Sequence, residues 1–303
     1  MLSDEFISYI SSVRRYSPRT VAVYRDVLDR YQAFALNGDL TVTMLRNYEV
    51  YLMEELKLDS RTVNLHLSVM SSYCRFLMRK GVLETNPVRS VRRPKIPRRL
   101  PVFYSGEAME SYFSSTCGDV EFGNYSQKLN KLIISMLANT GMRRAELVGL
   151  NRSSFDESRR VVHILGKGNK MREIPLPSSL CEEISLYLQS ADLMFDTASP
   201  ETPLLLTPRG DRLYPVFVDR VVKKELGKVE GITGRKSPHV LRHTLATELL
   251  SDGADLNSIK ELLGHSSLAA TQVYTHNSIE RLKKVYSNAH PRAKNGGKNG
   301  NQD

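Results

Sequence analysis

The sequence predicts a mainly α-helical protein with one small β-sheet, divided into an N-terminal helical bundle and a C-terminal mixed α/β domain. Three observations carry this expectation. Before residue 88 apolar residues recur at three- and four-residue intervals, in Val21, Tyr24, Leu28, Tyr31 and again in Val63, Leu67, Met70, Cys74, Leu77, which is the spacing of one helix face. A basic, proline-rich stretch follows at 89–101, and beyond it short β-branched runs interrupt the helical pattern. The length, 303 residues, is that of two compact units rather than one minimal domain.

Taken in order, the first run opens with Ser17 before Pro18, an N-cap followed by the one helical position that favours proline. The second opens at Ser60, three residues before Val63, and closes at Gly81 with Pro87 beyond. From Arg89 to Pro101 there are six basic residues, no acidic ones and three prolines, a composition that keeps a chain extended. This segment reads either as a solvated tether or as a strip laid against phosphates. Helical runs follow at about 105–116 and 126–140. Val161–Leu165 and Arg172–Leu176 then read as two strands of a hairpin with a Gly-rich basic tip, Gly166–Lys170. Leu204–Leu206 is expected to add a third strand before a turn at Pro208–Asp211, and the chain is expected to be helical again from about 214 to 286. The expected organisation is an N-terminal domain 1–88, a linker 89–101, a second domain 102–290 and a polar, disordered tail 291–303.

Composition narrows the function classes. Apolar residues are 41% and charged residues 25% of the chain, ordinary for a folded globular protein. The most apolar stretch, Leu132 to Ala138, is far short of the roughly 20 residues that span a bilayer, so no membrane insertion is expected. The acidic N-terminus does not resemble a signal peptide. Cys74, Cys117 and Cys181 are odd in number and widely spaced, which suits reduced thiols in a cytoplasmic protein. Lys and Arg outnumber Asp and Glu by 43 to 33, a formal charge of +10, and nucleic acid is the first candidate partner.

No P-loop spacing is present around Gly166–Lys170, and no carboxylate constellation suggests a metal-dependent phosphoryl-transfer site. Any phosphate chemistry therefore falls to cationic side chains. His239 and Arg242, in His239-Val-Leu-Arg242-His243, are three apart in a helical run and share a face. Leu262-Leu-Gly264-His265 reads as a helix end with Gly264 as its C-terminal cap, leaving His265 in a tight turn. Tyr274 follows nine residues later, in Thr271-Gln-Val-Tyr-Thr-His276. Upstream, Gly141-Met-Arg143-Arg144-Ala-Glu146 sets a basic pair at a glycine break.

In this order and at these distances, the pieces resemble the tyrosine recombinases of the phage-integrase family, and the Xer type in particular. The most specific stretches are Thr140–Leu147, Gly166–Lys170, His239–Thr247, Gly253–Leu256, Glu261–Leu268, Thr271–His276 and the closing His290–Ala293. The resemblance implies a helical DNA-binding domain and a mixed α/β catalytic domain that close on DNA as a C-shaped clamp. It implies Arg143 and Arg242 as guanidinium ligands of the scissile phosphate, Tyr274 as the nucleophile that leaves a 3′-phosphotyrosyl link, and His239 as the group that takes its proton. Lys167 would protonate the leaving 5′-oxygen and His265 would hydrogen-bond a phosphate oxygen. Only the motif's register selects Arg143 over Arg144, and Lys167 over Lys170. Glu146 is expected to orient Arg143 or pair with a neighbour, and His243 and His276 are left as structural or outlying groups.

The resemblance also implies no cofactor, metal or ATP, because a phosphodiester is exchanged for a phosphotyrosyl bond of similar energy. The expected partner is double-stranded DNA, gripped by a homo- or hetero-tetramer on two duplexes, alone or with a second recombinase of the Xer type. Arg92, Arg93, Lys95, Arg98 and Arg99 are the expected DNA-binding residues of the linker. An apolar stripe at Ile279, Leu282, Val285 and Tyr286 suits either packing on its own domain or docking in a neighbouring protomer. The expected role is site-specific recombination in the nucleoid, resolving chromosome or plasmid dimers. Integration, excision or inversion of a mobile element uses the same chemistry. A type IB topoisomerase and a non-catalytic DNA-binding protein are the further alternatives.

Overall fold

In a computed structural model of the chain, the structure describes residues 2–36, 39–97, 103–118, 123–166, 171–195 and 199–264. Lys167, His265, Tyr274, Arg98 and Arg99, the stripe from Ile279 to Tyr286 and the tail from 291 lie outside the described residues. The chain divides into two compact units between Arg99 and Leu100, inside the basic segment.

The first unit is helical. It comprises α1 (Leu2–Ser8) running into a π-helical turn (Tyr9–Val13), α2 (Pro18–Ala35), α3 (Val42–Val50) with a second π turn (Tyr51–Glu55), and α4 (Ser60–Arg79). Ser17 caps α2 as expected, its hydroxyl accepting from the Thr20 N–H. The cap of α4 is corrected: Asp59, not Ser60, is the N-cap, because its carboxylate accepts the Thr62 N–H at 2.7 Å and Ser60 becomes the first helical residue. A carboxylate also suits the positive end of the helix dipole. The stripe Val63, Leu67, Met70, Cys74, Leu77 is buried throughout and packs with Phe6, Ile10, Leu28 and Leu45. Tyr48 and His66 satisfy each other in this core, hydroxyl to Nδ1 at 2.8 Å, and burial holds the His66 pKa down.

The start of the basic segment is not a free tether. A 3₁₀ turn at Pro87–Ser90 leads into it, Val88 and Val91 are buried with the helical core, and the Pro94 carbonyl accepts from Asn64. Arg93 donates to the Ser68 hydroxyl, while Arg92 and Lys95 are exposed. Two apolar residues at a spacing of three give this stretch a face to bury, so it stays with the first unit.

The second unit is built on α6 (Tyr125–Thr140), preceded by α5 (Gly106–Ser115) and followed by the short α7 (Arg144–Gly149). Leu129, Ile133 and Leu137 of α6 are fully buried, and α8 (Ser178–Phe195), α9 (Pro215–Glu225) and α10 (Pro238–Ser251) pack around it. A last described helix, α11 (Leu256–Leu263), contacts α10. The expected hairpin forms as β2 (Val161–Leu165) and β3 (Met171–Pro175), antiparallel with Val162 opposite Ile174 and Ile164 opposite Arg172. The third strand is corrected: it is β1 (Phe155–Asp156) beside β2, not Leu204–Leu206. All three of those leucines are buried. The Leu204 N–H goes to the Leu150 carbonyl and the Leu206 N–H to the Tyr187 hydroxyl, so their donors are spent outside a ladder. Among the described residues the helical region after 214 comprises three helices, as expected of a helical stretch that ends one helix at Gly264. Gly231 and Gly234 at positive φ and Pro238 at the start of α10 punctuate it.

Candidate active site

Gly141 ends α6 in the left-handed conformation, φ +58°, where a glycine has no steric cost. The space demands glycine too: a Cβ there would lie 2.6 Å from Leu263 Cδ2 and 3.0 Å from Leu245 Cδ2. This close approach brings the end of α6 against α10 and α11. Two residues on, Arg143 is the N-cap of α7 and Glu146 sits in its first turn. The Glu146 carboxylate accepts the Arg143 backbone N–H at 2.7 Å and its guanidinium at 2.8 Å. The expectation that Glu146 orients Arg143 thus has a geometric basis.

The adjacent arginines part company here. Arg143 stands outside the helix and turns toward Glu146 and the Gly264 carbonyl, to which it donates at 2.9 Å. Arg144, the first helical residue, forms an ion pair with Asp219 of α9.

Arg242, on α10, is buried and spends two donors on backbone: Nη1 on the Gly141 carbonyl at 2.7 Å and Nη2 on the Leu263 carbonyl at 2.6 Å. Burial and the neighbouring Arg143 charge lower its pKa to about 10, so it remains a cation at neutral pH. One hydrogen bond from each arginine, Arg242 to Leu263 and Arg143 to Gly264, meets the C-terminal turn of α11. That helix ends at Gly264 in the left-handed conformation, φ +65°, and His265 follows in sequence. Carbonyls at a helix C-terminus lack intrahelical donors and carry the negative end of the dipole, which suits a ring of arginines.

One member of that ring has no place among the expected site residues. Arg172 of β3 is buried, donates Nη1 and Nη2 to the two Glu146 oxygens at 3.0 and 2.8 Å, and donates Nε to the Leu262 carbonyl at 3.3 Å. Its signal was parity: it shares the inward face of the strand with buried Ile174, and an arginine on a core face needs an anionic partner. Burial works against the Glu146 charge, but hydrogen bonds from Arg172 and from the Arg143 N–H outweigh it and hold the carboxyl below the usual range. Arg143, Arg172 and Arg242 against the single anion Glu146 leave the cluster cationic.

His239 is on the first turn of α10, three residues before Arg242. Partial burial and the charges of Arg144 and Arg242 lower its pKa, so the ring is neutral near pH 7 with a lone pair to accept a proton. The structure therefore draws Arg143 and Arg242 to one turn, with His239 on the same helix as Arg242. Among the described residues no cluster of His, Cys, Asp and Glu could hold a metal ion, and no helix is long and apolar enough to cross a membrane.

The phage integrase family matches residues 120–281, and the phage integrase N-terminal SAM-like domain matches residues 3–81. A tyrosine recombinase XerC of Bacillus licheniformis is 36% identical over 299 residues, covering 96% of each chain. Among solved structures, the Tn1549 transposon integrase in complex with transposon right end DNA superimposes with a TM-score of 0.70 at 18% identity, covering 93% of this chain and 98% of that one. The XerH site-specific recombinase bound to a palindromic difH substrate gives 0.66 at 20% identity, covering 94% and 84%. The chain belongs to the phage integrase family of tyrosine recombinases, enzymes that cleave and rejoin DNA through a tyrosine intermediate.

Proposed function

We propose that this chain is a site-specific recombinase of double-stranded DNA that resolves chromosome or plasmid dimers, acting as a tetramer on two duplexes. The observation that carries the reading is the convergence of Arg143 and Arg242 on the carbonyls of Leu263 and Gly264. Two guanidinium groups held against one turn form a rigid cationic seat for a phosphate, and planar donors suit two phosphate oxygens at once. The Xer recombinase relatives, matched over nearly the whole chain, support dimer resolution over integration or inversion.

The Tyr274 phenolic oxygen attacks phosphorus, a P–O bond to tyrosine forms, and the bond to the 5′-oxygen breaks. A phenol has a pKa near 10, so its proton must leave as it attacks, and neutral His239 takes it. Lys167 gives a proton to the departing 5′-oxygen, which would otherwise leave as an alkoxide. Arg143 and Arg242, with His265, stabilise the charge that builds on the non-bridging oxygens. Attack by a 5′-hydroxyl from the second duplex reverses these steps and seals the exchanged strand. No net phosphate-bond energy is spent, so the step needs neither ATP nor a metal.

The test is covalent capture. Wild-type and Tyr274→Phe chains are incubated with fragmented DNA from the source cell, denatured, and the DNA that remains attached is sequenced. A defined sequence recovered with wild type alone is expected. Capture by Tyr274→Phe would overturn the nucleophile, and capture by neither would favour a binding protein without chemistry.

A further inference from the structure

We propose that Arg172 is a positioning residue for Arg143, setting the phosphate-binding guanidinium through Glu146 while it pins the turn that ends α11. The inference rests on the reading of Arg143 as a phosphate ligand. Exposure separates the two arginines. The Arg172 and Glu146 side chains are each 6% exposed, whereas that of Arg143 is 34% exposed. Arg172 spends its donors on the Glu146 carboxylate and the Leu262 carbonyl, so it acts through what it touches.

What it touches is specific. Both Glu146 oxygens receive one Arg172 donor each, at 3.0 and 2.8 Å, and the same two oxygens receive the Arg143 guanidinium and backbone N–H. With all four bonds made, the carboxylate plane is fixed by Arg172 and in turn fixes Arg143. The third Arg172 donor reaches the Leu262 carbonyl, next to the Leu263 and Gly264 carbonyls that hold Arg242 and Arg143. Consecutive carbonyls of one turn are thereby taken by three arginines from three different elements. The guanidinium also lies close beside Gly264, where a Cβ would meet its Nη1 at 3.0 Å and its Cζ at 3.1 Å.

Stability alone is a poor account of this triad. A buried pair such as Arg172 and Glu146 loses so much hydration that replacing both by apolar side chains is often neutral or favourable. What apolar side chains cannot supply is a fixed direction for Arg143, and small misplacements of a catalytic group are expensive in rate. A lysine at 172 would keep the charge but not the planar fork that meets two oxygens.

The experiment compares Arg172→Met and Arg172→Lys with wild type in single-turnover formation of the phosphotyrosyl adduct, on the duplex recovered by covalent capture. Thermal melting and duplex affinity are measured alongside. Arg172→Met, which leaves the buried Glu146 carboxylate with Arg143 as its remaining partner, is expected to melt below wild type and, assayed well below its melting temperature, to bind within about threefold and to cleave about 100-fold more slowly, with Arg172→Lys recovering only part of the rate. In an Arg143→Lys background the Arg172→Met change should add less than about threefold, because residues acting in series are not additive. A wild-type rate in Arg172→Met, or its full loss added to that of Arg143→Lys, would overturn the proposal. So would a loss that only tracks the unfolded fraction. If Arg172→Met does not fold, Arg172→Lys carries the same comparisons. Guanidinium N–H exchange of Arg143, followed by NMR in DNA-free protein, should accelerate in either variant, and unchanged exchange also refutes the idea. A wild type that forms no adduct on any DNA would remove the recombinase reading, while this exchange measurement still decides the role of Arg172.

Discussion

Arg242 donates to the carbonyl of Leu263 at 2.6 Å and, with its other terminal nitrogen, to that of Gly141 at 2.7 Å. One buried cation thus ties the end of α6 to the end of α11. Arg242→Ala would strand two backbone acceptors, each at a cost of about 1–3 kcal/mol, and on the proposed mechanism would also remove a phosphate ligand. Adduct formation should fall by about 10³-fold or more, measured well below the variant's melting temperature. Cleavage within tenfold of wild type would exclude Arg242 from the chemistry.

Gly141→Ala tests the seam from its other side. A left-handed alanine costs about 1–2 kcal/mol, and the new Cβ also meets Leu263 and Leu245 at 2.6 and 3.0 Å. Gly253, at φ +83° with nothing within 4 Å, is the control, where alanine carries the backbone cost alone. The melting temperature should drop further for Gly141→Ala than for Gly253→Ala, by a margin of several degrees. Equal drops would mean that Leu263 moves aside freely.

Local signals in the sequence were sufficient for much of this fold. The Ser17 cap, the hairpin, the central helix over 125–140 and the glycine stop at Gly264 each depend on a few neighbouring residues. The helix at 178–195 carried its own pattern in Leu180, Ile184, Tyr187 and Ala191, yet it was absent from the expected elements. Arg172 was hidden for a different reason. Its partners lie 26 residues before it, at Glu146, and 90 residues after it, at Leu262, so strand parity says only that it points inward and not what it meets. Leu204–Leu206 misled because three consecutive apolar residues suit a buried strand and a buried loop equally.

On the proposed mechanism, His239 gives the acid limb of the reaction. Burial and the arginines depress its pKa below 6.5, so it is a neutral base across neutral pH. Adduct formation should fall only as pH drops below that value, and His239→Asn should abolish the limb along with most of the rate. The linkage has the same sign: stability is full above 6.5 and declines as pH falls through the depressed folded value. A rate limb centred at or above 6.5 would remove His239 from the role.

Glu248 predicts the opposite trend. Burial on α10, and then the charge of Asp252, raise its pKa to about 7, against about 4.3 in an unfolded chain. Its contribution is full below the unfolded value and is lost as pH rises through the folded one. Glu248→Gln should therefore stabilise the protein above pH 7, by at most about 4 kcal/mol at 1.4 kcal/mol per unit, and make little difference near pH 4.5. Urea unfolding of both proteins across that range is the check, and a constant difference would show that Glu248 ionises normally.

The basic segment yields the last prediction. Arg92 and Lys95 are exposed and Arg93 reaches Ser68 from an exposed position, on a stretch that Val88 and Val91 anchor to the first unit. An anchored row of cations can hold phosphates at fixed spacing, which a floating tether cannot. Neutralising Arg92, Arg93, Arg98 and Arg99 together should weaken duplex binding and reduce the slope of log affinity against log salt by about 0.9 for each phosphate that the variant no longer neutralises. Melting of the first unit should not change, because Arg92 and Arg93 are exposed and are not part of its core. An unaltered slope would make the segment a tether whose charge touches no phosphate, and DNA affinity would then have to come from the two folded units alone.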